Sequence, residues 1–105
     1  MFGAKVKNME SPRSGRAVAN QLIITEEGRG ANGNFTKRET FQSYDSTIAI
    51  VTTWKDRTDI ELDEETWDYS NTTRKYRNEF LGMDSKEIKN KIDSGEIKLT
   101  NLNKS

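Results

Sequence analysis

The chain contains no cysteine and no histidine. Disulfides, thiolate nucleophiles, thiolate or imidazole zinc sites and imidazole acid–base catalysis are therefore excluded. Any metal would have to sit among carboxylates, which restricts it to magnesium, calcium or manganese. The lack of cysteine fits a reducing compartment. Proline occurs once, at Pro12. No apolar run approaches the roughly 20 residues that a membrane helix needs, so no membrane partner is expected. The segment MFGAKVKNMESPRSG lacks the apolar centre of a signal peptide. Net charge is also missing, with 17 basic against 17 acidic residues. The whole-molecule field therefore gives no general attraction to nucleic acid, and any such binding must come from local segregation of charge. With 105 residues and only 31% hydrophobic content, the expectation is one small domain with a lean core. A homo-oligomer is one way to complete such a core.

What is present divides into four stretches. Residues 1–16 read as a basic, irregular arm, with Lys5, Lys7, Arg13 and Arg16 against Glu10. Pro12 and Gly15 mark a turn there, and its backbone amides between Arg13 and Arg16 are a candidate anion nest. Residues 17–62 read as antiparallel strands. In AVANQLIIT, Val18, Asn20, Leu22 and Ile24 share one face by alternation, so Asn20 is expected to be a buried amide. Glu26 to Asn34 is turn material. Phe41 is the inward anchor of the next strand. TIAIVTTW is the strongest strand pattern and places Ile48, Ile50, Thr52 and Trp54 on one face. Ile60 and Leu62 point inward from a short strand, and Asp59, Glu61 and Asp63 form a row facing solvent.

Residues 63–95 read as helical. Asp63 is a candidate cap for a turn that aims Trp67 at the core. Ser70, Asn71, Thr72 and Thr73 are all acceptable N-caps. Thr72, Tyr76 and Phe80 then form the buried line of the first helix, and Gly82 ends it. Asp84 with Glu87 starts a second helix, carrying Ile88 and Ile92 inward and ending at Gly95. Residues 96–105 supply a short edge strand with Ile97 and Leu99, and a frayed tail. The expected fold is α+β: a small antiparallel sheet of three to four strands with two C-terminal helices packed on one side.

The candidate binding residues are basic and aromatic. Arg74, Lys75 and Arg77 lie off the expected buried line, with Tyr69 just before the helix. With Arg13 and Arg16 they suit contacts to phosphates, stacked bases or an acidic protein surface. The segment 56–68, with seven carboxylates against Arg57, is the acidic counterpart. It lacks the spacing of a calcium loop. Glu96-Ile97-Lys98 is an ExK string, the only hint of a carboxylate–metal enzyme, and it is short enough to arise by chance. A non-enzymatic binding protein without cofactor is therefore expected, with a direct nucleic-acid binder as the alternative.

SPRSGRAVANQ, TFQSYDSTIAIV and TWDYSNTTRKYRNEFLG resemble segments of a family of small uncharacterised proteins from tailed bacteriophages and mobile elements. The resemblance implies a product acting in the host bacterial cytoplasm on a host protein or nucleoprotein. By analogy with other small phage proteins, it also implies an anti-defence, anti-CRISPR-like inhibitor.

Overall fold

The computed structural model describes residues 4–11, 14–28 and 37–103. Six strands follow one another across a single sheet in sequence order: β1 (Ala4–Glu10), β2 (Ala17–Glu27), β3 (Lys37–Ser43), β4 (Ser46–Thr53), β5 (Thr58–Asp63) and β6 (Ile97–Thr100). Helices α1 (Asn71–Leu81) and α2 (Ser85–Ser94) link β5 to β6. The class is α+β as expected, but the sheet has six strands. One extra strand comes from the stretch read as an irregular arm: β1 pairs antiparallel with β2 from Ala4↔Glu26 to Glu10↔Ala17. The other correction is direction. The first five strands are antiparallel neighbours, whereas β6 runs parallel to β5. A helix pair returns the chain to the end where β5 began, which is what a parallel neighbour requires.

Two irregularities decide which residues face the helices. Between Asn8↔Leu22 and Glu10↔Ala17 the register shifts, and Asn20 takes a left-handed φ of 68°. Asparagine tolerates that conformation better than most residues. The alternation therefore breaks after Val18. Gln21 and Ile23 turn to the helix side, while Asn20 is exposed and Leu22 and Ile24 go to the opposite face. The buried amide is thus Gln21, 1% exposed, rather than Asn20. In β4 the register shifts between Phe41↔Ala49 and Gln42↔Thr47, leaving Ile48 as an extra residue. Ile48 and Ala49 both enter the core. Ile50, Thr52 and Trp54 then fall on the face away from the helices and do not share a face with Ile48.

The core lies between the sheet and the helices. Phe41, Leu62 and Ile97 from the strands meet Tyr76 and Ile88 from the helices, with Trp67, Phe80 and Ile92 packed around them. The Phe41 and Phe80 rings are 5.8 Å apart. Each such side chain contributes about 1.5–3 kcal/mol on burial. Ile97 is buried as expected, but its strand-mate Leu99 remains 40% exposed at the sheet edge. No described helix is long and apolar enough to cross a membrane. The face opposite the helices carries a row in register across all six strands: Val6, Ile24, Thr40, Ile50, Glu61 and Lys98.

The chain end expected to fray is anchored through Asn103. Asp63 Oδ1 accepts the Leu102 amide at 2.9 Å. Asn103 exchanges two bonds with Thr47: its Oδ1 accepts the Thr47 amide at 2.7 Å and its Nδ2 donates to the Thr47 carbonyl at 2.9 Å.

Candidate binding surface

The turn after β5 is organised by one carboxylate. Asp63 Oδ2 accepts from the Glu65 amide (3.2 Å), the Thr66 amide (2.9 Å) and the Thr66 hydroxyl (2.8 Å). The Trp67 amide donates to the Asp63 carbonyl at 3.0 Å, and Trp67 packs against the core. Asp63 is therefore the cap expected of it. It is not part of a solvent-facing row with Asp59 and Glu61, because it is itself buried. Burial pushes its pKa up, but the donors from Leu102, Thr66 and Glu65 outweigh this and hold it below the usual aspartate value.

Helix α1 then starts at Ser70, whose Oγ accepts the Thr73 amide at 3.1 Å. Its buried residues are Thr73, Tyr76 and Arg77, with Phe80 packed beside them. This is the full i, i+3, i+4, i+7 stripe of an amphipathic helix. Of the line Thr72–Tyr76–Phe80 read from the sequence, Tyr76 and Phe80 hold, whereas Thr72 is exposed and the neighbouring Thr73 is buried in its place. Arg77 falls in the stripe, at 0% exposure. It is not displayed on the surface, contrary to expectation. Its Nη1 donates to the Trp67 carbonyl at 2.6 Å and to Asp68 Oδ1 at 3.4 Å. Its Nε and Nη2 donate to Asn78 Oδ1 at 3.1 and 2.8 Å, and Nη2 reaches Ser85 Oγ at 3.2 Å. The guanidinium carbon also sits 5.2 Å from the centre of the Trp67 ring. Burial lowers the Arg77 pKa, Asp68 opposes that shift, and nearby Arg74 adds to it. Arg77 thus ties the Trp67 turn, α1 and the first residue of α2 together.

The remaining candidates separate. Arg74 is half-buried, its Nε on Asp68 Oδ1 at 2.8 Å and its Nη1 on Asn71 Oδ1 at 3.1 Å. Lys75 is exposed, with its ammonium 5.4 Å from the centre of the Tyr76 ring. Tyr69 is 61% exposed. Tyr44, which the sequence did not single out, is 50% exposed with a left-handed φ of 56° in the β3–β4 turn. The Ser43 and Thr73 hydroxyls, 3.0 Å apart, fix that turn beneath the start of α1. Tyr44 sits at the end of the sheet where β2 begins after Arg16, its amide bonded to the Asn20 carbonyl at 2.7 Å, and the first turn of α1 meets the sheet at the same end through Thr73. Arg16 is exposed; Arg13 lies outside the described residues. Among the described residues of the candidate anion nest, the Gly15 amide bonds the Ser11 carbonyl at 2.9 Å and the Arg16 amide bonds Ser14 Oγ at 3.3 Å.

A second feature lies at the opposite end, on the helix-free face. A cavity of about 210 Å³ is lined by Trp54, Asp59, Glu61, Glu96 and Lys98 among others. The ExK string thus does reach a cavity with two further carboxylates, because Glu61 and Lys98 are register neighbours. Asp59 is engaged, however: its Oδ2 accepts from Trp54 Nε1 at 2.7 Å and from Arg57 Nε at 3.4 Å. Among the described residues no group of three or more carboxylates is placed to hold a metal ion.

The architecture is that of a small α+β protein with one helix-covered and one open sheet face. The chain belongs to a family of unknown function, DUF8033, which it matches over residues 4–96. No curated protein and no solved structure matches it.

Proposed function

We propose that this is a non-enzymatic binding protein of phage or mobile-element origin that blocks or redirects a host protein or nucleoprotein in the bacterial cytoplasm, as an anti-CRISPR-like inhibitor does. One observation carries the binding surface. Tyr69 stands exposed between Asp68, which pairs with Arg74, and Ser70, the cap of α1, in a turn that the buried Asp63 and Arg77 hold; Lys75 is exposed in the first turns of that helix. Aromatic and arginine side chains on a rigid element suit protein recognition, since little entropy is lost on docking.

The side-chain geometry favours a protein over nucleic acid as the direct partner. Of the five basic residues first considered, Arg77 is buried and Arg74 is already paired with Asp68. Lys75 and Arg16 are the two left exposed among the described residues, too few for a phosphate-tracking groove. The origin and compartment rest on the resemblance of the three sequence segments.

The test is a pull-down from host lysate with and without nuclease treatment. The reading expects a protein that stays bound after nuclease and is lost with the variant Tyr69→Ala/Lys75→Glu. Retention of nucleic acid alone, released steeply by salt, would replace it with the nucleic-acid reading.

A further inference from the structure

The strand at the sheet's first edge presents a second interaction surface. Among the described residues β1 is outermost and pairs only with β2. Lys5, Val6, Lys7 and Asn8 are all exposed, Val6 to 60%. Such an edge offers unpaired backbone donors and acceptors to any extended segment. Its two faces differ in chemistry. Lys5 and Lys7 are opposite Thr25 and Ile23, on the helix side, and neither makes an ion pair among the described residues. Val6 is opposite Ile24, at the end of the apolar part of the cross-sheet row. Beside the edge, a cavity of about 150 Å³ lies between Lys7, Met9 and Ile23 of the sheet and Glu79 of α1.

We propose that the β1 edge binds an extended, acidic segment of another protein by strand addition, with carboxylates alternating with apolar residues. The carboxylates face Lys5 and Lys7, and an apolar side chain on the other face extends the Val6–Ile24 row. Cross-strand pairing disfavours a second copy of this chain as the occupant. An antiparallel β1–β1 pair centred on Val6 opposes Lys5 with Lys7, and one centred on Lys7 opposes that lysine with itself. Moving the centre to Asn8 sets Val6 against Glu10. Like charges directly across strands are unfavourable, and opposite charges favourable. This surface stands apart from the Tyr69 end and does not depend on it.

The probe is a capped heptapeptide in which Glu and Val alternate, titrated into the isotope-labelled full chain and followed by backbone amide shifts. The expected result is saturable shifts concentrated in residues 4–10. Affinity should fall about tenfold in Lys5→Glu/Lys7→Glu, the equivalent of two reversed cross-strand pairs. A matched peptide with Lys in place of Glu, and one with proline at its centre, should not bind. Lys5→Gln/Lys7→Gln serves if the double glutamate variant does not fold, with a smaller loss expected. Shifts elsewhere, equal binding by the charge variants, or equal binding of the proline peptide would overturn the proposal. Concentration-dependent shifts in β1 without peptide would overturn it in favour of a second copy.

Discussion

Replacing Arg77 with alanine separates a structural arginine from a contact arginine. The side chain is fully buried and makes hydrogen bonds to the Trp67 carbonyl, Asn78 and Ser85. Asp68 is half-exposed, so the ion pair itself contributes little once solvent screening is allowed for. The larger loss is the charged donor to the Trp67 carbonyl, worth about 1.5–3 kcal/mol. Loss of the stack on the Trp67 ring adds about 0.5–2 kcal/mol, and the emptied volume adds a cavity term. A total of about 3–5 kcal/mol is expected, a large part of the roughly 5–15 kcal/mol that holds a domain of this size. The melting temperature should drop by about 12 °C or more. Arg77→Lys should recover only part of the loss, because one ammonium cannot reproduce the fork. Arg74→Ala, at a surface pair, should cost no more than about 1 kcal/mol. Urea unfolding followed by circular dichroism reads all three. An Arg77→Ala protein as stable as Arg74→Ala would refute the buried clamp and return Arg77 to the list of contact residues.

Asp63 has a folded pKa below its unfolded value. Its contribution is therefore fully present above about pH 4 and is lost as pH falls through the lower, folded pKa. Asp63→Asn should cost about 2 kcal/mol at neutral pH and flatten the acid limb of the stability–pH curve; an unchanged limb would deny Asp63 this role. Asn20→Gly should be neutral or slightly stabilising, since Asn20 already has a positive φ, whereas Asn20→Val should cost about 1–2 kcal/mol; equal melting of the two would argue against the irregularity in β2. Truncation after Thr100 removes the bonds to Asp63 and Thr47 and should cost about 2 kcal/mol, where a frayed tail would cost nothing in the same melt.

The signals that lie within a few residues of each other were legible. Ser70, Gly82, Asp84 and Gly95 mark helix ends that the structure reproduces, with both glycines left-handed. Phe41, Ile60, Leu62, Ile97 and Trp67 all join or line the core. The strand faces were not legible beyond the points where a residue is inserted. Asn20 and Ile48 each shift the two-residue period, so strict alternation groups Leu22 and Ile24 with Val18, and Ile50, Thr52 and Trp54 with Ile48, where the structure separates them. Nothing local announces such an insertion, because it is set by the neighbouring strand. β1 gives no strand signal for a related reason: AKVKNME has only Val6 and Met9 as sizeable apolar residues, and an edge strand largely exposed on both sides of the pleat has no need of alternation. The burial of Arg77 is not legible in the sequence, because a charged residue in the helix stripe reads as polar. Its burial follows from partners ten residues before it and eight after.

The most direct measurement of the proposed function is the affinity of the captured host protein for wild type and for Tyr69→Ala/Lys75→Glu, taken by calorimetry on proteins of matched melting temperature. The account expects the double variant to bind about tenfold or more weakly, consistent with losing an aromatic anchor and reversing a charge. Equal affinities would contradict it and move the working surface away from this end of the sheet.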